Sequence, residues 1–187
     1  MEENNQHTAL LVMDMQNATL AMIEDPATIR NNVAKAITYA RAKNIPVLYI
    51  VVGFRPGLPE ISSNSKNGQN MRAMLANVDM NDWMTIDAAI APLPGEVTII
   101  KRRVSAFSGS DLEVILRAQN IKHLVLTGIA TSGVVLSTTR EASDKDYRLT
   151  ILADCCADRD PEVHQVLTGK VFIRQADVMN VEEWCKL

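Results

Sequence analysis

The sequence predicts a three-layer α/β fold: a mostly parallel, six-stranded sheet with helices on both faces. Three observations carry that expectation. Short runs of Val, Ile and Leu alternate with segments of helical spacing along the whole chain. The apolar runs are continuous rather than alternating, as strands buried on both faces require. The repeated strand–helix–strand order calls for right-handed crossovers between parallel neighbours.

The elements follow in order. Thr8 to Met13 (TALLVM) is a buried strand that stops at Asp14. Asp25-Pro26 starts a helix, with Asp as cap and Pro in the first turn. Apolar residues at Ile29, Val33, Ile37 and Ala40 carry it from Ala27 to Lys43. Pro46 to Val52 is a second strand. From Gly53 to about Asp82 the pattern dissolves into Gly, Pro, Ser and Asn, which predicts a long loop, often a lid or binding segment. Val97 to Ile100 is a third strand, ending at Lys101. Asp111 to Gln119 is a helix capped by Ser110. His123 to Thr127 is a fourth strand, followed by a helix that Thr131 or Ser132 caps and that runs to about Lys145. Arg148 to Leu152 is a fifth strand. Asp160-Pro161 opens a helix to Gly169, and Gln175 to Met179 is a short sixth strand. With no internal repeat and no linker, residues 1–187 read as a single domain.

Composition narrows the function classes. A chain of 187 residues with 47% hydrophobic and 22% charged residues can build a core without staples. Net charge is −3, with no basic stripe, so neither nucleic acid nor a membrane surface is an expected partner. No apolar run reaches the roughly 20 residues of a membrane helix. The polar, acidic start MEENNQ lacks the basic region of a signal peptide, and a cytoplasmic location is expected. Three cysteines, Cys155, Cys156 and Cys185, are too few and too clustered for a disulfide framework.

Open parallel sheets bind ligands beyond the carboxyl ends of their strands. Asp14, Gln16 and Asn17 follow the first strand. Gly53, Phe54 and Arg55 follow the second, and Lys101, Arg102 and Arg103 the third. The turn GIATSG (128–133) follows the fourth, and Asp154, Cys155 and Cys156 the fifth. A carboxylate and an ammonium at two strand ends can meet at the rim. Each also has an ordinary alternative, the Asp capping a turn and the Lys pointing to solvent. The glycine-flanked turn opens a helix, whose free N–H groups suit developing negative charge.

At these residues a resemblance enters. ALLVMDMQN (9–17) resembles the first-strand motif of the isochorismatase-like hydrolase superfamily, which includes nicotinamidases and related cysteine hydrolases. Residues 99–158 resemble the family's second half through K-x-x-x-S-A-F-x-G-S-D-L and L-T-G-I-x-T. The resemblance implies Asp14 and Lys101 as catalytic residues, a cis peptide at Ile129–Ala130, and backbone N–H groups of Ala130 and Val134 aimed at a substrate oxygen. The family's nucleophilic Cys falls on Val134, which has no thiolate chemistry. The histidines of a nicotinamidase metal site have no counterpart, since His7, His123 and His164 lie elsewhere, so no metal and no cofactor is expected. Isochorismatases keep the Asp and Lys and work without the Cys.

The expected protein is therefore a hydrolase without a cysteine nucleophile, using Asp14 as acid/base and Lys101 as electrostatic partner. Its substrate is a small molecule, with anions among the candidates because of Arg55, Arg102 and Arg103. Gln16, Asn17, Phe54, Phe107 and Thr131 are candidate substrate-binding residues, with Trp83 a further candidate wall. Burial would raise the Asp14 pKa and Lys101 would lower it, a balance the sequence leaves open. Two alternatives stand beside this reading. One is a catalytically silent ligand-binding relative. The other is an amidase using Ser132, Ser137 or Thr138 as nucleophile. The resemblance also implies a homo-oligomer, with Val134, Val135 and the loop after residue 53 near a subunit boundary.

Overall fold

A computed structural model describes residues 7–187; the reading of the N-terminal start falls mainly on residues 1–6, outside them. Six strands, β1 (Thr8–Met13), β2 (Val47–Val52), β3 (Val97–Lys101), β4 (His123–Ile129), β5 (Arg148–Ala157) and β6 (Asp177–Met179), form one sheet in the order β3-β2-β1-β4-β5-β6. Every neighbouring pair is parallel. The helices are α1 (Asn17–Leu20), α2 (Pro26–Ala42), α3 (Lys66–Leu75), α4 (Met80–Trp83), α5 (Leu112–Ala118), α6 (Leu136–Asp144), α7 (Pro161–Val166) and α8 (Val181–Trp184).

Alternation along each strand feeds two cores. Leu11, Met13, Ile50 and Leu126 pack on one face with Leu112 and Leu116 of α5 and Ala142 of α6. Leu10, Val12, Tyr49 and Val125 pack on the other with Val33, Ile37 and Ala40 of α2 and Val181 and Trp184 of α8. With helices on both faces, β1, β2 and β4 are buried along their whole length. That burial explains why these strands read as uninterrupted apolar runs. Each such side chain contributes about 1.5–3 kcal/mol on burial. The Asp25 carboxylate accepts from Thr28 N and Pro26 opens α2, as the sequence predicts.

The two central strands meet closely at their carboxyl ends. Met13 pairs with Gly128, whose φ is +149°. A Cβ at Gly128 would lie 2.4 Å from Met13 O. Only glycine supplies both the backbone angle and the missing atom.

Two expectations need correction. The stretch from Gly53 to Asp82 is not wholly loop, because it contains α3 and α4. Ser65 caps α3 by accepting from Gly68 N, and Leu75 and Met71 pack with Ile61 and Trp83. The polar first turn, KNGQN, hid that short apolar stripe. The fifth strand does not stop at Leu152 but runs to Ala157. Its register with β4 shifts between Leu126↔Ile151 and Gly128↔Cys156, so extra residues bulge out between. Asp154 ties this bulge down: its carbonyl accepts from Asn32 Nδ2 and its Oδ1 from Val181 N, each at 2.8 Å. Cys155 and Cys156 are therefore strand residues rather than loop residues, and both are buried.

Candidate active site

The chain turns at Asp14 with φ +54°, directly after β1, and the side chain faces a hollow at the carboxyl end of the sheet. β3 ends at Lys101, two strands away. Their side chains meet there, with Lys101 Nζ 3.0 Å from Asp14 Oδ2. Both side chains are buried, at 8% and 3% exposure. Lys101 Nζ also donates to Arg103 O at 2.8 Å, so the ammonium has two fixed acceptors.

The other carboxylate oxygen differs. Asp14 Oδ1 is buried and has no hydrogen-bond partner among the described residues. Buried polar atoms are nearly always paired. Burial pushes the Asp14 carboxyl up to about 6, and the opposing pull of Lys101 only partly offsets it. The acid and its conjugate base are thus both populated near neutral pH.

The hollow has a volume of about 330 Å³, suited to a small organic molecule. Val52, Phe54, Ile61, Met71 and Trp83 give it apolar walls. Ala130 and Val134 line it beside Asp14 and Lys101. The Ile129–Ala130 peptide is cis. The turn is held by Ser132 N, which donates to Asp158 Oδ2 at 2.7 Å, and by a 2.8 Å hydrogen bond between Thr131 Oγ1 and His164 Nδ1.

The structure brings Asp14, Lys101, Phe54, Trp83, Ala130 and Val134 together, and sets other candidates apart. Gln16 is fully buried but spent on backbone. Its Oε1 accepts from Val52 N at 2.8 Å and its Nε2 donates to Trp83 O at 2.6 Å. It ties β1, β2 and α4 together and does not line the hollow. Asn17 is exposed at the start of α1. Phe107 lies in the core, 5.9 Å from the Tyr147 ring and under Lys145 Nζ. Thr131 is wholly buried, with its hydroxyl taken by His164. Ser132, Ser137 and Thr138 do not line the hollow, and Thr138 Oγ1 accepts from Ala106 N.

Several lining residues escaped the sequence reading, among them Thr19, Met22, Glu60 and Arg159. Arg159 follows β5, and ending that strand five residues early hid its place at the rim.

A parallel sheet in this order, with a buried ion pair joining the carboxyl ends of β1 and β3 at a hollow, defines an open-sheet α/β protein with a ligand cleft at its strand ends. The Isochorismatase domain family matches residues 8–183, and the chain belongs to the isochorismatase family. The chain is 32% identical over 186 residues to an uncharacterized isochorismatase family protein, YecD, of Escherichia coli O157:H7, covering 98% of this chain and 97% of that protein. It is 30% identical over 198 residues to the ureidoacrylate amidohydrolase RutB of Pseudomonas syringae pv. syringae, covering 94% and 77%. The structure of a cysteine hydrolase from Pseudomonas syringae pv. phaseolicola 1448A has the same fold, with a TM-score of 0.88 at 23% identity over 100% of this chain and 94% of that one. The protein is an isochorismatase-like hydrolase.

Proposed function

We propose that the protein hydrolyses a small molecule by acid–base catalysis at Asp14, with Lys101 as electrostatic partner and without a cysteine nucleophile. The observation that carries this reading is a buried carboxylate lining the hollow, with one oxygen on Lys101 and the other without a partner among the described residues. Val134 supports it, because a valine lines the hollow at the position that the resemblance assigns to the family's nucleophile. The chain's own thiols lie elsewhere. Burial pushes Cys155 up strongly and Cys156 up to about 12, so neither is an accessible thiolate.

The Asp14 carboxylate takes a proton from water as the water oxygen bonds to the electrophilic carbon of a substrate amide. The amide π pair moves onto oxygen, where the Ala130 and Val134 N–H groups would stabilise it. The carbon–nitrogen bond then breaks, and the leaving nitrogen receives the proton from Asp14. Lys101 holds the carboxylate in place. Enol ethers and cyclic imides are alternative substrates for the same pair. The reading includes a cytoplasmic location, in keeping with the free cysteines Cys155, Cys156 and Cys185, and the homo-oligomer that the family resemblance implies.

A panel of amides, enol ethers and small cyclic imides, assayed on the parent and on Asp14→Asn, tests this. We expect turnover by the parent alone. Equal turnover by both would remove Asp14 from the mechanism. Val134 also favours a second reading, a catalytically silent binder, and there a ligand would raise Tm without being consumed.

A further inference from the structure

The charge of the hollow opposes the charge of the chain. The chain carries a net −3. The hollow is lined by two carboxylates, Asp14 and Glu60, and four cations, Lys101, Arg102, Arg103 and Arg159. A cationic hollow on an acidic protein concentrates anions and repels cations.

Most of these charges are already committed. Lys101 holds Asp14. Arg102 Nη1 donates to Gly53 O at 2.6 Å, and its Nε lies 3.9 Å from Glu60 Oε1. Glu60 is also held by Arg55 Nη1 at 2.7 Å. Arg55 and Arg102, which the sequence offered as anion binders, are therefore occupied by a protein carboxylate. Two guanidinium groups remain. Arg103 donates to the Arg102 carbonyl, and Arg159 rests on the Met22 sulfur. Neither pairs with a carboxylate among the described residues. They reach the rim from separate elements, one after β3 and one after β5.

We propose that Arg103 and Arg159 select an anionic substrate, a small carboxylate with an apolar body, by holding its charged end at the rim. This rests on the reading of the hollow as the substrate site and deepens it. The apolar walls take the body of such a molecule, and the Asp14 carboxylate takes a donor at its reacting end. A guanidinium matches a carboxylate in shape and offers paired donors. A neutral amide of the same size gains nothing from it.

The test is a binding comparison on the full chain. Acetate, butyrate and benzoate are titrated against acetamide, butyramide and benzamide by ligand-observed NMR. The proteins are the parent, Arg103→Gln/Arg159→Gln and Asp14→Asn. We expect at least one carboxylate to bind the parent about tenfold more tightly than its amide, and the double variant to lose that preference. Both arginines are exposed, so the variant keeps the fold. If no carboxylate outcompetes its amide, or if the double variant keeps the preference, the proposal is overturned. The catalytic reading fails separately, through full turnover by Asp14→Asn. A parent that prefers carboxylates through the two arginines while Asp14→Asn still turns over would leave the anion site standing alone.

Discussion

The two ends of the same strands bury polar groups in opposite ways. At the amino end of the sheet, His123 is buried between Thr8 and Thr150, with hydrogen bonds of 3.2 and 2.9 Å to their hydroxyls. At the carboxyl end, Asp14 and Lys101 are equally buried, yet one carboxylate oxygen lacks a partner. The first cluster joins three adjacent strands through uncharged hydroxyls and an imidazole. The second brings charge to a hollow and leaves an acceptor unused. A satisfied buried polar group holds a fold together, whereas an unsatisfied one beside a cavity is available to a substrate.

The largest effect is expected at Lys101. Lys101→Met leaves the Asp14 carboxylate buried without its cation. Without the cation the carboxyl rises further, so we expect a loss of about 3–5 kcal/mol in denaturant unfolding at alkaline pH, where it is forced to ionise, and loss of activity. A stable, active Lys101→Met would mean that the pair is ornamental. Asp14→Asn comes next, with turnover down about 100-fold or more and the fold retained. In the parent, kcat/KM should rise with pH through about 6, where the carboxyl loses its proton, and the variant should lack that limb. Stability runs the other way. The folded carboxyl titrates above its ordinary 3.8, so its contribution is whole below 3.8 and is lost as pH rises through about 6. The parent should therefore lose roughly 3 kcal/mol relative to Asp14→Asn across that window, measured by urea midpoints.

At the opposite end, His123→Ala should cost about 1–3 kcal/mol by stranding two threonine hydroxyls, with kcat unchanged. A catalytic defect there would erase the distinction between the two ends. The smallest effect is expected at Trp83→Phe. That change removes the Nε1 bond to Val52 O, at 2.9 Å, while Gln16 still reaches the same carbonyl. We expect a cost of about 1 kcal/mol and a raised KM, since the ring lines the hollow.

What the sequence revealed follows the same physics. Strands buried on both faces announce themselves as apolar runs, so β1 to β4 and their carboxyl ends were legible, and with them Asp14 and Lys101. β5 was cut short because its continuation, ADCCA, carries an aspartate that only the bulge and α8 accommodate. Gln16 and Asn17 were named as binding residues on position alone. A buried amide serving two backbone strands has no signature in spacing. Helix α3 was missed because its first turn is polar and its apolar contacts come from the distant Ile61 and Trp83. Arg159 went unnoticed because its place depends on how far β5 extends.

The backbone-to-backbone contact between Met13 and Gly128 has a practical consequence. At the seam between β1 and β4 residue 128 admits no side chain, since even a methyl would collide with a peptide oxygen. Redesign of which molecules fit therefore leaves that seam as it is and works through lining residues such as Phe54, Met71 and Val104.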